Sequence, residues 1–192
     1  MKIALFGGTF NPIHNGHLIV AEHVRVAMTI DRVIFIPSFI TPHKQSGEDE
    51  VFHHRLEMVR LAIKGNECFE CSDYEINKNA ISYTIDTIEE MKSQHPYDTI
   101  YLIIGMDNYL TFHLWKEPDR LLSSIQVIVM NRPNHKKQIN EVIGTKNIIF
   151  IDVPNIDISS TDIRQRVGEG KSVRHMVPDS VEEYIVAQGL YK

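Results

Sequence analysis

Five short apolar runs constrain this chain more than any other feature, because each is continuous rather than alternating and is rich in β-branched residues. The runs end near Gly, Pro or Asn, and they are Ile3–Phe6, Val33–Ile36, Ile100–Ile104, Val127–Met130 and Ile148–Ile151. A continuously apolar strand is buried on both faces, as in a parallel sheet covered by helices. The runs therefore predict five buried parallel strands.

Helical patterns, with apolar residues three and four positions apart, lie between and after these runs. The predicted helices are His17–Met28, Val51–Ile63, Ile85–Met91, Asn108–His113, Arg120–Ser123, Ser160–Val167 and Val181–Ala187. Alternation of strand and helix predicts an α/β fold with a doubly wound, mainly parallel sheet. We expect residues 1–192 to form one domain, with 159–192 as its C-terminal helical part. The stretch Thr41 to Glu50 (TPHKQSGEDE) is the best candidate for a mobile loop.

Charge and cysteine content exclude several classes of protein. The formal net charge is -5, so the chain is not an obvious nucleic-acid or membrane-surface binder. The N-terminal apolar run is too short for a signal peptide or a membrane helix. We predict that Cys68–Ile76 is a strand, in which Cys68 and Cys71 point to opposite faces. We therefore expect structural thiols in a reducing cytoplasm rather than a redox pair.

The segment after the first run, GGTFNPIHNGH, ends at a predicted helix. Ligands of such sheets bind beyond the carboxyl ends of the strands, where this segment lies. Gly7 and Gly8 allow backbone amides to approach a ligand closely. A helix beginning near Asn15 or Gly16 directs its free N–H groups and its dipole toward the same place, which suits phosphate. His14 and His17 flank that helix start, so both rings can reach one anion.

Polar residues also follow the later runs, at the same predicted edge of the sheet. They are Lys44 in a loop, Gly105 and Asp107 after the third run, Arg132 after the fourth, and Ser159, Ser160, Thr161 and Arg164 after the fifth. The hydroxyl residues are typical helix N-caps, and Arg164 lies one turn into that helix. A Lys in a loop can reach a polyphosphate as a point charge.

Two further regions contain residue types that can contact a nucleotide. Tyr83 and Thr84 begin a predicted helix, and the only tryptophan, Trp115, could stack on a flat heterocycle or belong to the core. The tail segment Gly168–Ser172 is similar to the end of a P-loop but follows a predicted helix rather than a strand. It does not predict a nucleotide site.

GGTFNPIHNGH and ISSTDIR together resemble the HxGH and ISSTxIR motifs of the nucleotidylyltransferase superfamily. Within it, the chain is most similar to the bacterial-type nicotinate-mononucleotide adenylyltransferases. The blocks TPHK, SYTIDT, GMD and FHLW are the residues that carry this closer likeness. The resemblance runs from Lys2 to about Val167 and implies a Rossmann-like nucleotidylyltransferase fold.

The resemblance implies transfer of the adenylyl group of ATP to nicotinate mononucleotide, giving deamido-NAD and pyrophosphate in NAD biosynthesis. It implies direct in-line attack without a covalent intermediate, assisted by Mg²⁺ that accompanies ATP, and no metal ligand is assigned to the protein. The residues agree, because they include donors and charges but no activated nucleophile. We expect a cytoplasmic enzyme without nucleic-acid or membrane partners, for which a homodimer or larger homo-oligomer is compatible with the sequence.

By the same resemblance, each motif residue receives a role. His14 and His17 hold the ATP phosphates, and Lys44 and Arg164 act with them as catalytic residues. The other expected ATP contacts are Gly7, Gly8, Thr9, Phe10, Gly16, Gly105, Asp107, Arg132, Ser159, Ser160 and Thr161. Tyr83, Thr84 and Trp115 form the expected nicotinate mononucleotide pocket, with stacking on Trp115 and amide contacts near Thr84.

Other functions remain open at this point. The acceptor could instead be nicotinamide mononucleotide, phosphopantetheine or glycerol phosphate, although His14 disfavours phosphopantetheine. Cytidylyltransferases share HxGH but lack the SYTIDT and FHLW blocks. A binding module without catalysis predicts a broken HxGH or a missing Arg164, and neither is seen. RNA binding would require a basic face or an added anticodon-binding region, and the sequence indicates neither.

Overall fold

Six parallel strands form one sheet in the computed structural model, which describes residues 1–39, 49–78, 83–131 and 139–192. The strands are β1 (Lys2–Gly8), β2 (Arg32–Pro37), β3 (Phe69–Cys71), β4 (Thr99–Gly105), β5 (Gln126–Asn131) and β6 (Ile148–Asp152). Their order across the sheet is β3-β2-β1-β4-β5-β6, and every pair is parallel. This is the strand order of doubly wound sheets, which confirms the predicted fold class.

Helices cover both faces of the sheet. They are α1 (Asn15–Ala27), α2 (Asp49–Ile63), α3 (Tyr74–Lys78), α4 (Thr84–Gln94), α5 (Met106–Leu110), a 3-10 turn (Phe112–Leu114), α6 (Pro118–Ser124), α7 (Ser160–Gly168) and α8 (Asp179–Ala187). Alternate β1 residues enter opposite cores, with Ala4 and Phe6 packing on the side of α1, α2, α7 and α8. Ile3 and Leu5 pack on the side of α4 and α6. Within the described ranges, no helix is long and apolar enough to cross a membrane.

The change in strand order next to β1 positions the functional residues. Leu5 pairs with Ile34 of β2 on one side and with Leu102 of β4 on the other. The helices that follow β1 and β4 return on opposite faces of the sheet, so their connections diverge at the carboxyl edge. A crevice opens at this point in such folds, and ligands bind there.

The prediction of a strand over Cys68–Ile76 is wrong at both ends. Only Phe69–Cys71 pairs with β2, and Tyr74–Lys78 is the helix α3. Ser72 ends the strand by accepting a hydrogen bond at its Oγ from the Tyr74 N–H (3.3 Å), a local bond that competes with the sheet ladder. Both cysteines are free and half-buried. Burial raises the pKa of the Cys71 thiol to about 12. Such a thiol is unreactive, in agreement with the expectation of structural thiols rather than a redox pair.

Two other boundaries differ from the sequence prediction. The helix expected over Asn108–His113 is divided into α5 and the 3-10 turn. The Asn140 side-chain amide donates to the carbonyls of Tyr109 (3.1 Å) and Leu110 (2.9 Å), so it satisfies carbonyls that end a helix. The loop expected over Thr41 to Glu50 falls mostly outside the described residues, but its last two residues, Asp49 and Glu50, already belong to α2.

Candidate functional site

Two cavities open at the carboxyl edge of the sheet, and the segment from Gly7 to His17 contributes to both. We call the first, of about 370 Å³, the aromatic cavity; its wall includes Gly7, Gly8, Thr9, Ser38, Glu75, Tyr83, Thr84, Thr87, Trp115 and Lys116. We call the second, of about 620 Å³, the histidine cavity; its wall includes His14, Gly16, His17, Gly105, Asp107, Asn131, Ser159 and Ser160. Both volumes lie in the range of ligand pockets.

The two motif histidines stack on each other at the start of α1. Their ring centroids are 3.7 Å apart, with 22° between the planes. His14 occupies the N-cap position in an extended conformation, and its backbone N–H donates to Nδ1 of His17 (3.3 Å). Because Nδ1 accepts this bond, a neutral His17 ring carries its proton on Nε2. The loop therefore sets the tautomer of His17 and makes Nε2 a donor.

Both histidines are neutral near pH 7. Burial lowers the pKa of His14 to about 4. Burial, and next the repulsion from His14, lower the pKa of His17 to about 3. The stacked pair thus offers uncharged hydrogen-bond donors rather than imidazolium cations. A neutral imidazole can still stabilise charge that develops during a reaction, as in other enzymes with desolvated histidines.

Two glycines in this segment lie so close to the protein's own rings that a larger residue would displace those rings. A Cβ on Gly8 would lie 2.9 Å from the Phe10 ring, and a Cβ on Gly16 would lie 3.0 Å from Nδ1 of His14. Phe10 has a φ of 47°, is buried, and packs edge-on against His17 with centroids 5.1 Å apart. The ring of Phe10 therefore supports the histidine pair from the core, and it is not among the residues that line either cavity.

The start of α7 lies against the same loop. Ser159 is the N-cap, and its Oγ accepts from the Asp162 N–H (3.1 Å), as the sequence predicts. Ser160 Oγ donates to the Pro12 carbonyl (2.8 Å), and Arg164 Nη1 donates to the Asn11 carbonyl (2.7 Å). The hydroxyl and guanidinium groups therefore fasten the loop that carries the histidines.

The aromatic cavity combines flat rings with charged side chains. Trp115 stacks on Phe112 with ring centroids 4.7 Å apart, and Tyr83 is the N-cap of α4. Lys116 Nζ lies 4.4 Å from the centroid of the Tyr83 ring and 3.3 Å from Asp86 Oδ1. An ammonium group and the N-terminus of α4 thus occur together at this wall, an arrangement that attracts an anion.

The predicted site residues divide between the two cavities. His14, Gly16, His17, Gly105, Asp107, Ser159 and Ser160 line the histidine cavity, whereas Gly7, Gly8 and Thr9 line the aromatic cavity together with Tyr83, Thr84 and Trp115. Arg164 and Thr161 are not among the residues that line either cavity. They lie next to each other, with Arg164 Nη2 3.4 Å from Thr161 Oγ1. Lys44 and Arg132 lie outside the described residues, so their placement stays a prediction.

Arg55 is a site residue that the sequence reasoning missed. Its side chain is 2% exposed, and it donates to the carbonyls of Thr9 (2.6 Å) and Ser38 (2.6 Å), both of which line the aromatic cavity. Burial lowers the pKa of its guanidinium to about 10. The sequence pattern that could have revealed Arg55 is its spacing in the predicted helix. It lies one residue before Leu56 and four before Val59, on the side that faces the core.

A family comparison agrees with this architecture. The model of the family described as Cytidylyltransferase-like matches residues 5–166, which is most of the chain. A probable nicotinate-nucleotide adenylyltransferase of Caldicellulosiruptor saccharolyticus is 42% identical, with all of both chains covered. The chain belongs to the cytidylyltransferase-like family and, within it, to the nicotinate-nucleotide adenylyltransferases. The family predicted from the sequence is confirmed.

Solved structures show the same fold in other members of this family. A putative nicotinate-nucleotide adenylyltransferase of Vibrio parahaemolyticus is 25% identical with a TM-score of 0.72, covering 100% of this chain and 96% of its own. Plasmodium falciparum nicotinic acid mononucleotide adenylyltransferase, solved with NaAD, is 23% identical with a TM-score of 0.80, covering 99% of this chain and 97% of its own. The second likeness concerns the fold alone.

Proposed function

We propose that this enzyme transfers the adenylyl group of ATP to nicotinate mononucleotide, with ATP in the histidine cavity and the mononucleotide in the aromatic cavity. The observation that carries the proposal is that one segment, Gly7 to His17, lines both cavities. Two substrates bound on either side of this segment would meet at its histidines. Full-length relatives that are named as nicotinate-nucleotide adenylyltransferases support the choice of substrates.

The proposed chemistry is a single displacement at the α-phosphorus of ATP. A phosphate oxygen of the mononucleotide attacks this phosphorus, the bond to the β-bridging oxygen breaks, and the electron pair leaves with pyrophosphate. The products are deamido-NAD and pyrophosphate, and no group on the protein is modified. Positioning and charge stabilisation are the main needs of such a transfer. The Nε2–H of His17 is suited to donate to the reacting phosphoryl group.

The aromatic cavity supports an acidic pyridine ring. Trp115 offers a face for stacking, and the free N–H groups at the start of α4 suit a carboxylate. Lys116 adds a positive charge at the same wall. A nicotinamide ring would fit the same shape but would bring no carboxylate to Lys116, whose charge is otherwise shared with Asp86. We therefore propose nicotinate rather than its amide as the preferred ring.

We propose that Mg²⁺ enters with ATP, bound mainly by phosphate oxygens and water, as this ion prefers. Residues 1–39, 49–78, 83–131 and 139–192 contain no group of three His, Cys, Asp or Glu suited to hold a metal. When bound, Mg²⁺ neutralises charge on the triphosphate. Lys44 and Arg132 are proposed to assist at the phosphates and at the adenosine, respectively.

The decisive test measures pyrophosphate release from ATP with each acceptor in turn, namely nicotinate mononucleotide, its amide, phosphopantetheine and glycerol phosphate. We expect release with nicotinate mononucleotide, together with formation of deamido-NAD. Release only with another acceptor would overturn the substrate assignment. Binding of ATP without release for every acceptor would instead support a binding module. A cytoplasmic location, one domain over residues 1–192 and a homo-oligomeric state remain predictions.

A further inference from the structure

The loop between β1 and α1 is bound by the C-terminal region. Asn11 and Pro12 accept at their carbonyls from Arg164 and Ser160. Asn15 donates through its backbone N–H to the Met176 carbonyl (2.9 Å) and through Nδ2 to the His175 carbonyl (2.7 Å). These bonds connect residues that are 148 or more positions apart. The conformation of the loop thus depends on residues near the other end of the chain.

Tyr191 makes the most distant of these bonds. Its hydroxyl donates to Oδ1 of Asn11 (2.6 Å), across 180 positions. The end of α8 delivers this side chain, because Gly189 adopts a φ of 63° and the Leu190 N–H bonds back to the Ile185 carbonyl (3.0 Å). This pattern is a Schellman motif, which reverses the chain after a helix. The reversal turns Leu190 and Tyr191 back toward the N-terminal loop.

Asn11 receives two donors, and they reach different atoms. Tyr191 binds its side-chain oxygen, and Arg164 binds its backbone carbonyl. Burial raises the pKa of the Tyr191 hydroxyl above its usual range, so the hydroxyl keeps its proton and remains a donor throughout the working pH range. The side chain and the backbone of Asn11 are therefore both fixed, three residues before His14.

We propose that Tyr191 is a positioning residue for the histidine pair, acting through its hydrogen bond to Asn11. The bond restrains the loop whose last residue, His14, caps α1 and binds Nδ1 of His17. A loop that moves would misalign Nε2 of His17 with the reacting phosphoryl group, and small displacements at such a site lower the rate strongly. The inference rests on the proposed function of His17.

A matched pair of variants tests this inference. Tyr191→Phe removes the hydroxyl that binds Asn11, whereas Tyr184→Phe removes a hydroxyl of α8 that lies 2.9 Å from His54 Nδ1 in α2. Each variant loses one hydrogen bond that joins the C-terminal region to the rest of the protein. Only the first loss reaches the histidine loop. Steady-state kinetics for both substrates and unfolding temperatures are measured for each variant.

We expect Tyr191→Phe to lower kcat about tenfold, the effect of one misplaced or lost interaction, with both KM values within about twofold of wild type. Tyr184→Phe should lower the unfolding temperature similarly while leaving kcat unchanged. Equal kcat values for the two variants would overturn the proposal. If the wild-type protein releases no pyrophosphate with nicotinate mononucleotide, the proposed function fails instead, which is a distinct result.

A double-mutant cycle covers the case in which Tyr191→Phe is poorly folded. Asn11→Ala and the double variant Asn11→Ala/Tyr191→Phe are measured in the same way. Because the two residues act through one bond, we expect the double variant to lose no more kcat than the worse single variant. Additive losses of kcat would show that Tyr191 acts independently of Asn11, and would contradict the proposal.

Discussion

The histidine cavity and the aromatic cavity lie side by side but are held by different kinds of interaction. Bonds between residues far apart in sequence hold the histidine loop, and the two rings they fix are neutral, with His14 buried and His17 half-buried. Charged, partly exposed side chains surround the start of α4, where Asp86 pairs with both Lys78 (2.8 Å) and Lys116 (3.3 Å). Salt should weaken the hydrogen bonds of the histidine loop little, although a single substitution removes one of them. The ion pairs around the start of α4 are screened by salt.

This difference matches the two proposed tasks. Stabilising a transferring phosphoryl group requires donors fixed to within fractions of an ångström, which rigid and desolvated contacts supply. Attracting a carboxylate on a pyridine ring requires charge more than exact geometry, and partly exposed lysines supply that. We therefore expect substitutions to cause large losses in the histidine cavity and modest, salt-dependent losses in the aromatic cavity.

The largest effect is expected for His17→Ala. Loss of the Nε2 donor should lower kcat by about 10²-fold to 10³-fold, while the fold remains intact because Phe6 and Phe10 still pack against each other and against Phe35. Pyrophosphate release and urea unfolding measure the two outcomes. His23→Ala, at an exposed position of the same helix, controls for the loss of an imidazole. Near-normal turnover in His17→Ala would contradict the catalytic role.

The next effect concerns stability against acid. The His14 ring binds a proton near pH 6.5 when unfolded but only near pH 4 when folded, so the unfolded state binds more protons between these values. Stability is therefore full above pH 6.5 and falls as the pH drops toward 4, by about 3 kcal/mol for this one group. The same sign holds for His17, whose folded pKa is about 3.

Urea unfolding at pH 6.5 and at pH 4 tests this dependence. The free energy of unfolding of His14→Gln should fall less between the two pH values than that of wild type, because Gln does not titrate. Carboxylates with lowered pKa, such as Glu22 and Asp86, lose stabilisation in acid in both proteins and cancel in the difference. An equal fall in the free energy of unfolding of wild type and variant would show that His14 is not desolvated. The contrast between a neutral histidine cavity and a charged aromatic cavity would then fail.

Local sequence patterns predicted much of the fold and part of the site. The five apolar runs became β1, β2, β4, β5 and β6, with ends displaced by at most two residues. Burial explains the composition of the first four, but the expected burial is wrong for β6, an edge strand whose residues are partly or fully exposed. The short β3 and α3 were misread, since a three-residue strand leaves little periodicity and one side-chain bond of Ser72 ends it. The HxGH segment indicated the start of α1 correctly.

Long-range polar contacts could not be predicted in the same way. Arg55 binds the carbonyls of Thr9 and Ser38, and Tyr191 binds Asn11. None of these partners is recognisable by spacing. Arg55 binds backbone carbonyls, which occur at every residue, and the separations in sequence range from 17 positions for Arg55 and Ser38 to 180 for Tyr191 and Asn11. The motif also does not show that its residues line two different cavities. The path of the loop places Gly7, Gly8 and Thr9 in the aromatic cavity and the two histidines in the histidine cavity.

The smallest effect is expected at the aromatic cavity, for Lys116→Met. Nicotinate mononucleotide should lose about fivefold in kcat/KM relative to its amide, in keeping with an exposed ion pair, and added salt should shrink this loss. Lys78→Met is the matched control, because Lys78 also pairs with Asp86 but does not line the cavity. Its selectivity for the acid should equal that of wild type. If both variants lose selectivity equally, the shared Asp86 network sets the preference; if neither does, the N-terminus of α4 recognises the carboxylate without Lys116.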